Sequence, residues 1–294
     1  MNGSDVESRQ QIIDHYNRYD EAERLKHDIG PLERLRTQEL VTRYLPPAPA
    51  VVLDVGGATG VYSFWLAGLG YSVHLVDIVP RHIEQARQTA QEPGTPPLAS
   101  MRVGDGRRLD FADEWADAII MHGPLYHLSD REDRVGAIAE ANRVLRPGGV
   151  LLAFAITRYA GLIYGLVKGH IFDPTYHEMI RTEVKTGRRE NPPDWAFTFP
   201  NAFFHLPHEL ETELKDGGLS HEITLGIIGP AWLVPDLDAS WQDPLQREVI
   251  LDIARLTENE PVLGPRLMAV ARKPVTATKG CDIVEERKGV FNEK

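Results

Sequence analysis

The stretch VVLDVGGATG, residues 51–60, constrains the fold of this chain more than any other segment. Its first three residues form a short β-branched and apolar run that predicts a buried strand, and an apolar-periodic segment typical of a helix follows at residues 61–69. Between strand and helix, Gly56 and Gly60 can adopt backbone angles that a Cβ forbids. This order of strand, glycine turn and helix predicts that a small ligand lies against the main chain, beside the N-terminus of the helix.

Two acidic residues indicate the chemistry of that ligand. Asp54 lies at the carboxyl end of the first strand, where a carboxylate repels a pyrophosphate but accepts a hydrogen bond from an ammonium group. Residues 71–76 (YSVHLV) predict a second strand that ends in Asp77. An acid at the tip of the second strand is placed to accept both hydroxyls of a ribose. The expected ligand therefore combines a cation with a nucleoside.

The two motifs VLDVGGATG and LVDIVP resemble the first two motifs of the class I, Rossmann-like SAM-dependent methyltransferases. That family commonly has D-x-G-x-G-x-G in this turn, whereas this chain has Ala58 at the middle glycine and an additional glycine, Gly57, just before it. The resemblance implies an α/β fold with a doubly wound, seven-stranded, mostly parallel sheet and an antiparallel last strand. It also implies an enzyme, a SAM-dependent methyltransferase of the small-molecule type, with S-adenosyl-L-methionine (SAM) as cofactor. The cofactor-binding residues expected in these two motifs are Asp54, Gly56, Gly57, Gly60, Asp77 and Ile78.

The resemblance continues in order as far as residue 155. A short third strand at residues 99–103 leads to Asp105 and Gly106, where the family accepts a hydrogen bond from the adenine amino group; the alternative for Asp105 is an ordinary turn cap. A fourth strand at residues 115–121 runs into the loop HGPLYHL, residues 122–128, which should line the pocket at the carboxyl end of the sheet. His122 and Gly123 are expected along the cofactor, with Tyr126 and His127 nearer the methyl acceptor. An R-P-G-G turn at residues 146–149 precedes a fifth strand at residues 150–155, as is frequent in the family.

Residues 5–45 predict two amphipathic helices, broken around Gly30 and Pro31. In the family, segments at this position often close over the cofactor. Tyr16 and Tyr19 are therefore candidates to cover its methionyl part, and Arg36 is a candidate to pair with its carboxylate. The alternative is that the tyrosines pack in the core and that Arg36 is a solvated surface charge.

The regular pattern fails between residues 156 and 201, where roughly 45 residues replace a short connection. Long inserted segments are usually lids or binding loops, so we predict a helical substrate cap. The string NPPDW at residues 191–195 is similar to the N-P-P-aromatic motif of base-amino methyltransferases, but that motif belongs after strand four, so we interpret the spelling as coincidental. A helix at residues 205–218, a strand at 222–228, a helix around 246–257 and a strand at 266–271 complete the expected core. The predicted division is a cofactor-closing helical segment at 1–47, a core at 48–156, a cap at 157–203, the rest of the core with the final strand hairpin at 204–274, and a disordered tail at 275–294.

Composition excludes several classes of function. With 43 acidic and 32 basic residues, the formal net charge of −11 argues against a general surface for nucleic acid or acidic lipid. The single cysteine, Cys281, argues against an internal disulfide and a thiolate-rich metal site. No apolar run approaches the roughly 18 residues of a membrane span, and the polar N-terminus lacks a signal-peptide core. We expect a cytoplasmic protein with a small-molecule substrate and no nucleic-acid or membrane partner, and the choice between monomer and homodimer stays open.

Methyl transfer from a sulfonium is an in-line displacement, for which the protein mainly holds the reactants in line. A base is needed when the acceptor is a hydroxyl, and histidine suits that role near neutral pH. The candidates are His127 and His122, because of the loop that they occupy, and then His205; with eleven histidines in the chain, each has a structural alternative. The spacing of His122 and His127 does not match a metal-ligand pair, so we predict no catalytic metal.

The acceptor is less defined than the cofactor. Aromatic residues in and beside the predicted cap suit a small, partly apolar or aromatic compound, or else form the core of the cap itself; they are Phe172, Tyr176, Trp195, Phe197, Phe199, Phe203 and Phe204. Hydroxyl and amine acceptors both stay open. Two alternatives from other classes are a non-catalytic SAM-binding protein, which would share every cofactor motif, and a nicotinamide oxidoreductase. The oxidoreductase is disfavoured because it needs G-x-G-x-x-G over a pyrophosphate that Asp54 would face.

Overall fold

A computed structural model describes residues 3–18, 21–190, 192–193, 195 and 201–275. The strands in chain order are β1 (Val51–Val55), β2 (Ser72–Asp77), β3 (Ser100–Val103), β4 (Ala116–Met121), β5 (Leu145–Ile156), β6 (Arg188–Arg189), β7 (Ala202–Phe203), β8 (Ser220–Gly226) and β9 (Arg266–Arg272). Seven of them form one sheet in the order β3-β2-β1-β4-β5-β9-β8, and β6 pairs with β7 separately. Within the main sheet, only β9 is antiparallel to its neighbours. The predicted fold class is confirmed.

The helices of the described residues are α1 (Gly3–Arg18), α2 (Glu21–Arg24), α3 (Gly30–Tyr44), α4 (Val61–Gly68), α5 (Pro80–Thr89), α6 (Pro124–His127), α7 (Arg131–Val144), α8 (Ala160–Lys168), α9 (Pro174–Thr186), α10 (Pro207–Asp216), α11 (Leu237–Gln242) and α12 (Pro244–Leu256). Short 3₁₀ helices lie at His170–Phe172, Gly229–Leu233 and Pro261–Leu263. Proline in the first turn begins many of them, because that position needs no N–H donor. Asp173 and Asp243 cap α9 and α12 by accepting hydrogen bonds from backbone N–H groups.

The sheet separates two apolar layers, because successive side chains of a strand point to opposite faces. In β4, Ala118 and Ile120 pack with residues of α3, α4 and α12. Ile119 and Met121 face the other way, toward α7 and α10. Covering both faces of parallel strands explains why the predicted strands contain near-continuous apolar runs.

Local geometry differs from the sequence-based expectation in three places. Gly30 and Pro31 begin α3 instead of interrupting a helix, so the break precedes them. The expected R-P-G-G turn belongs to the bulged start of β5, where Gly148 has a φ of +79° and the register to β4 shifts. The β6–β7 pair was not predicted.

Several residues named in the sequence analysis lie outside the described residues. They are Tyr19 of the N-terminal segment, Asn191, Asp194, Phe197 and Phe199 of the expected cap, and the predicted tail beyond Val275, which contains Cys281. Within the predicted cap, α8 and α9 are helical, and the division into five segments stays a prediction. Among the described helices, none combines the length and apolar character required to cross a membrane.

Candidate active site

A cavity of about 330 Å³ lies at the carboxyl ends of β1, β2 and β4. The glycine turn after β1 forms its floor: Gly56, with a φ of +75°, donates a backbone hydrogen bond to Val76. A Cβ on Gly56 would approach Cδ of Pro124 within 2.7 Å, so glycine is needed there for the turn to meet the loop after β4. This volume is in the usual range of small-ligand sites.

Gly57 and Asp54 act together in this turn. Gly57 lines the cavity, whereas Asp54 is fully buried beneath it and is not part of the wall. Asp54 accepts a hydrogen bond of 2.6 Å from the Ser63 hydroxyl at the start of α4, and burial raises its pKa to about 6. The carboxyl group thus lies behind the turn, and the expected contact between Asp54 and a ligand ammonium group stays a prediction. Gly60, with a φ of +84°, likewise shapes the start of α4 without lining the cavity.

Asp77 lies at the tip of β2 on the cavity wall, next to Ile78. Its carboxylate accepts hydrogen bonds from the backbone N–H groups of Ala58, at 2.9 Å, and Val79, at 2.8 Å. Nδ1 of His82, in α5, is 3.1 Å from the same carboxylate. A carboxylate offers about four acceptor sites, so one more donor can be accepted without displacing these three.

Asp105 and Gly106 also line the cavity, after β3. The guanidinium of Arg107 donates to both carboxylate oxygens of Asp105, at 3.2 and 2.9 Å, and Arg107 also pairs with Asp133. Burial alone would raise the pKa of Asp105, but the hydrogen bonds from Arg107 outweigh it and lower the pKa. The predicted adenine contact must therefore share the carboxylate with Arg107.

His122 and Gly123 follow β4 and line the cavity as expected. The imidazole of His122 stacks on the ring of Phe154, with centroids 4.2 Å apart and planes 6° from parallel. Desolvation lowers the pKa of His122 to about 3, although the carboxylate of Glu33 acts in the opposite direction. His122 is therefore neutral at physiological pH and its ring is held flat against the core.

Tyr16 and His127 meet in the wall of the cavity, although 111 residues separate them in the chain. The Tyr16 hydroxyl is 2.9 Å from Nε2 of His127, and the Tyr16 ring packs edge-on against His82, with centroids 5.1 Å apart. Burial lowers the pKa of His127 to about 3. Helix α1 thus contributes a tyrosine to the wall, beside a histidine that is neutral at pH 7.

Two predicted site residues are elsewhere in the molecule. Arg36 in α3 is fully buried away from the cavity, where it donates to Glu258 at 2.7 Å and to the carbonyl of Ile227 at 3.2 Å, and also pairs with Glu39. Neither alternative considered for Arg36, a ligand contact or a solvated surface charge, is correct, because tertiary ion pairing determines its position.

His205 is also fully buried and outside the cavity wall. Its Nε2 is 3.1 Å from Glu213, whose carboxylate forms a buried ion pair with Arg134 at 2.7 Å. Burial lowers the pKa of His205, and its hydrogen bond to Glu213 opposes that effect. His205 therefore connects to α10 through Glu213. Its position outside the cavity contradicts the predicted role as a base and indicates a structural role.

The expected aromatic pocket is only partly correct. Tyr176, Phe203 and Phe204 are buried in packing of the cap region, and Phe172 is 87% exposed. The aromatic residues that line the cavity are Tyr16, Tyr62 and Tyr126. Tyr16 and Tyr126 were expected at the pocket from their positions in the sequence, whereas Tyr62 in α4 was not.

Several arginines of the cavity wall were missed by the sequence interpretation. Arg24 in α2 donates to Glu33, with two contacts of 3.2 Å. Glu33 is fully buried, and burial would raise its pKa, but Arg24 and Arg266 lower that pKa to about 2. The short helix α2 carries no periodic signal from which the direction of Arg24 was predictable.

The cap contributes the remaining wall. Arg188 and Arg189 line the cavity, and Arg188 donates to Asp130 at 2.7 Å. Asn201, just before β7, donates to Gln11 of α1 at 2.7 Å. The cavity is thus bounded by the N-terminal helix on one side and by the inserted segment on another. Across the described part of the chain, no group of three or more His, Cys, Asp or Glu residues is arranged to hold a metal ion.

Comparison with known proteins identifies a family of domains to which part of the chain is similar. Residues 53–153 match a family model described as a methyltransferase domain. A ubiquinone/menaquinone biosynthesis C-methyltransferase UbiE of Acidiphilium cryptum is 32% identical over 128 residues, which make up 43% of this chain and 50% of that protein. A mouse (Mus musculus) protein named "Probable tRNA methyltransferase 9B" is 35% identical over 107 residues, 36% of this chain and 21% of that protein. The chain spans about half the length of the first curated relatives that it matches.

A solved structure extends the similarity to the whole fold. A SAM-dependent methyltransferase from Methanosarcina mazei superimposes with a TM-score of 0.56 and 21% identity, over 80% of this chain and 97% of that one. At this identity the likeness concerns the fold alone. The match over residues 53–153 shows that this part of the chain is a methyltransferase domain, and the sheet has the fold of the Rossmann-like SAM-dependent methyltransferases, whose cofactor is S-adenosyl-L-methionine.

Proposed function

We propose that this protein transfers a methyl group from SAM to an oxygen or nitrogen atom of a small, partly apolar molecule. One observation carries the proposal: a single cavity extends from the glycine turn at Gly56 to the buried Tyr16–His127 pair, under α1 and the cap. Such a cavity gives cofactor and acceptor one shared space in which they can be held in line, as the displacement requires.

The cofactor half of the proposal depends on the turn and on two strand tips. The main chain at Gly56 and Gly57 lies open to the cavity, and Asp77 is the acceptor for a ribose hydroxyl. Asp105 and Gly106 are the residues proposed at the adenine, and His122 and Gly123 lie along the cofactor. When bound, SAM supplies an electrophilic methyl group on a sulfonium.

The acceptor half depends on Tyr16, Tyr126 and His127. With a pKa of about 3, His127 is a poor proton acceptor at pH 7, since an effective general base has a pKa near the working pH. Its role is therefore to hold the Tyr16 hydroxyl by a hydrogen bond, so that this hydroxyl orients the nucleophilic atom. We infer that the acceptor is nucleophilic without help from a strong base of the protein, as are neutral amines and those phenols that are acidic enough to be ionised at the working pH.

The named activities of the relatives define the alternatives that an acceptor screen must contain. One relative is named for carbon methylation in quinone biosynthesis and another for tRNA. The net charge of −11 favours a small molecule over a polynucleotide, because a polynucleotide partner needs a basic surface.

The first test is binding. SAM and S-adenosylhomocysteine should raise the melting temperature, because a ligand that binds only the native state stabilises it, whereas NAD should not. Asp77→Ala should abolish the shift with SAM. The matched control is Asp110→Ala. The Asp110 side chain is 99% exposed and does not line the cavity, so this variant should retain the shift in melting temperature. Isothermal titration calorimetry without heat for SAM in folded wild-type protein would refute the proposal.

The second test is turnover with methyl-labelled SAM and a panel of amines, phenols, quinols and unmodified tRNA. We expect label transfer to an amine or a phenol. Transfer to a quinol carbon or to tRNA alone would overturn the proposed acceptor class but not the cofactor assignment. Binding of SAM without transfer to any acceptor of a broad panel would favour the non-catalytic SAM-binding alternative.

A further inference from the structure

Helix α12 carries apolar side chains on two opposite faces. On the face toward the sheet, Ile250, Leu251 and Ala254 are buried in the core. On the opposite face lies a second apolar set, here named the outer stripe: Leu245, Val249, Ile253 and Leu256, which are 81%, 63%, 39% and 70% exposed. A surface helix normally has a polar outer face, and one that is apolar on both sides is typical of a helix enclosed between two partners.

The outer stripe is continuous. At 3.6 residues per turn, its four side chains fall within about 80° of arc, and at 1.5 Å per residue they extend over about 16 Å. Scattered apolar side chains on a surface need no explanation, but a contiguous patch marks an interaction site.

The charges beside the stripe indicate which partner fits. Glu248 and Arg255 lie on the same flank of α12, with Arg255 Nη1 2.9 Å from Glu248 Oε1 and Nη2 2.7 Å from Glu39 Oε1 of α3. When two copies of a helix pack antiparallel about a twofold axis, the same flank of each copy faces the other. If that axis crosses the interface at the level of Leu251 along the helix, Val249 of one copy lies opposite Ile253 of the other. In the same register, Leu245 faces Leu256, and Glu248 lies level with Arg255 at both ends.

We propose that the chain forms a twofold homodimer through the outer stripes of two antiparallel α12 helices. The stripe is self-complementary in both respects that an isologous interface requires, since apolar residues meet apolar residues and acid meets base. A single pair of helical stripes is smaller than the roughly 800 Å² per partner of a standard stable interface. The dimer is therefore weak and reversible, with a dissociation constant in the micromolar range.

One residue in the register opposes association. Asp252 is exposed on the flank that also carries Glu248, and it lies next to the proposed axis, so the two copies of Asp252 are close together. Two like charges at short range repel, and salt screens that repulsion. Asp252→Asn should therefore lower the dissociation constant of the dimer, whereas a substitution remote from the interface should leave it unchanged.

Sedimentation velocity over a micromolar concentration series tests the interface. Wild-type protein should shift toward a dimer, and Val249→Asp should raise the dissociation constant at least about tenfold, because it buries an unpaired charge. The matched control is Leu166→Asp in α8, where the side chain is 57% exposed in a different apolar patch. This variant should dimerise like wild type. Both positions are exposed, so thermal melts of the two variants should match wild type.

A monomeric wild type throughout the series would overturn the proposal. Unchanged association of Val249→Asp would do so as well, and loss of association in Leu166→Asp alone would assign the interface to the cap instead.

Crosslinking tests the antiparallel register. Cys281 is the only cysteine, so Cys281→Ser provides a background without thiols. In that background, Asp252→Cys should be joined to a second copy by a short bismaleimide, because the residue lies beside the axis, whereas Leu166→Cys should not. Dimers that sediment normally but do not crosslink at position 252 would overturn the register.

Discussion

His122 and His127 are in the wall of the same cavity, and burial lowers the pKa of each to about 3. In the unfolded chain, both titrate near their ordinary value of about 6.5. Between these values the unfolded state binds more protons than the native state, so the free energy of unfolding falls as the pH is lowered through this window. Asp54 acts in the opposite sense: its pKa of about 6 lies above the ordinary 3.8, so its contribution is lost as the pH rises through 6.

This linkage predicts the effect of removing one buried histidine. We expect His122→Phe, which keeps a ring against Phe154, to reduce the pH dependence of the unfolding free energy by up to one proton, about 1.4 kcal/mol per pH unit. Urea unfolding between pH 4 and 8 measures the slope. His177→Gln, an exposed histidine in α9, is the control and should leave the slope unchanged. An identical slope in both variants would contradict burial of His122 as a neutral imidazole.

A second prediction at the level of a single residue concerns the hydroxyl group of Tyr16. Tyr16→Phe removes its hydrogen bond to His127, at a cost of about 1 kcal/mol in stability, and should lower kcat by tenfold or more while SAM affinity is retained. Tyr71→Phe is matched to it: the Tyr71 hydroxyl donates to the carbonyl of Pro46 at 2.8 Å, outside the cavity wall. That variant should lose similar stability and keep its kcat, so equal kcat values in the two variants would remove Tyr16 from the proposed mechanism.

At the scale of elements, the turn between β1 and α4 is the most tightly constrained piece of the site. A Cβ on Gly57 would lie 2.4 Å from Oδ2 of Asp54 and 2.6 Å from Cδ1 of Leu75. Both neighbours are buried, so the turn itself has to move. The position of the backbone that faces the ligand is thus coupled to the packing beneath it.

We therefore expect Gly57→Ala to cost about 1–3 kcal/mol in stability and to weaken SAM binding at least tenfold. Gly136→Ala is the matched control, because Gly136 is exposed within α7 and a Cβ there meets nothing within 4 Å. Replacing a helical glycine by alanine should stabilise the protein by roughly 0.5–1 kcal/mol and leave binding unchanged. Calorimetry and thermal melts of both variants provide the comparison; unchanged SAM affinity in Gly57→Ala would separate the turn from the ligand.

The elements that sequence predicted well are those with local signals. The apolar run of β1, the glycine turn and the acid that ends β2 occur within one short stretch, and each has a physical reason that acts at that position. The pairing of β5 with the chain just beyond β9 has no such local signal. The Gly148 N–H donates to the carbonyl of Lys273 at 2.9 Å, and the Lys273 N–H donates to the carbonyl of Gly149 at 3.0 Å, so the expected turn becomes part of a bulged strand.

Individual site residues were likewise predictable only where the signal was local in the sequence. Arg36 pairs with Glu258, 222 residues away, and no pattern within α3 indicates that partner. Tyr16 was expected near the cofactor and lines the cavity, but its contact with His127 needed the tertiary structure. His82 carried a usable signal that was overlooked, because a histidine in the first turn of α5 projects back toward Asp77 at the strand tip.

For the whole molecule, the main feature is that the cavity is assembled from distant parts of the chain. The glycine turn and strand tips belong to the sheet, Tyr16 to the N-terminal helix, and Asn201 to the segment inserted after β5. Asn201 and Gln11 join the last two by a hydrogen bond of 2.7 Å. The methyltransferase domain at residues 53–153 thus supplies the proposed cofactor half together with Tyr126 and His127, while Tyr16 and Asn201 come from segments outside it.

The position of β9 has a consequence for synthesis on the ribosome. Although β9 is the last strand among the described residues, it lies between β5 and β8, and it hydrogen-bonds to both. A nascent chain that has emerged only as far as α12 therefore presents two open strand edges, and such edges invite intermolecular pairing. Completion of the sheet must wait until residues 266–272 have left the exit tunnel, so a protein released just short of them would be exposed to aggregation despite having most of its core.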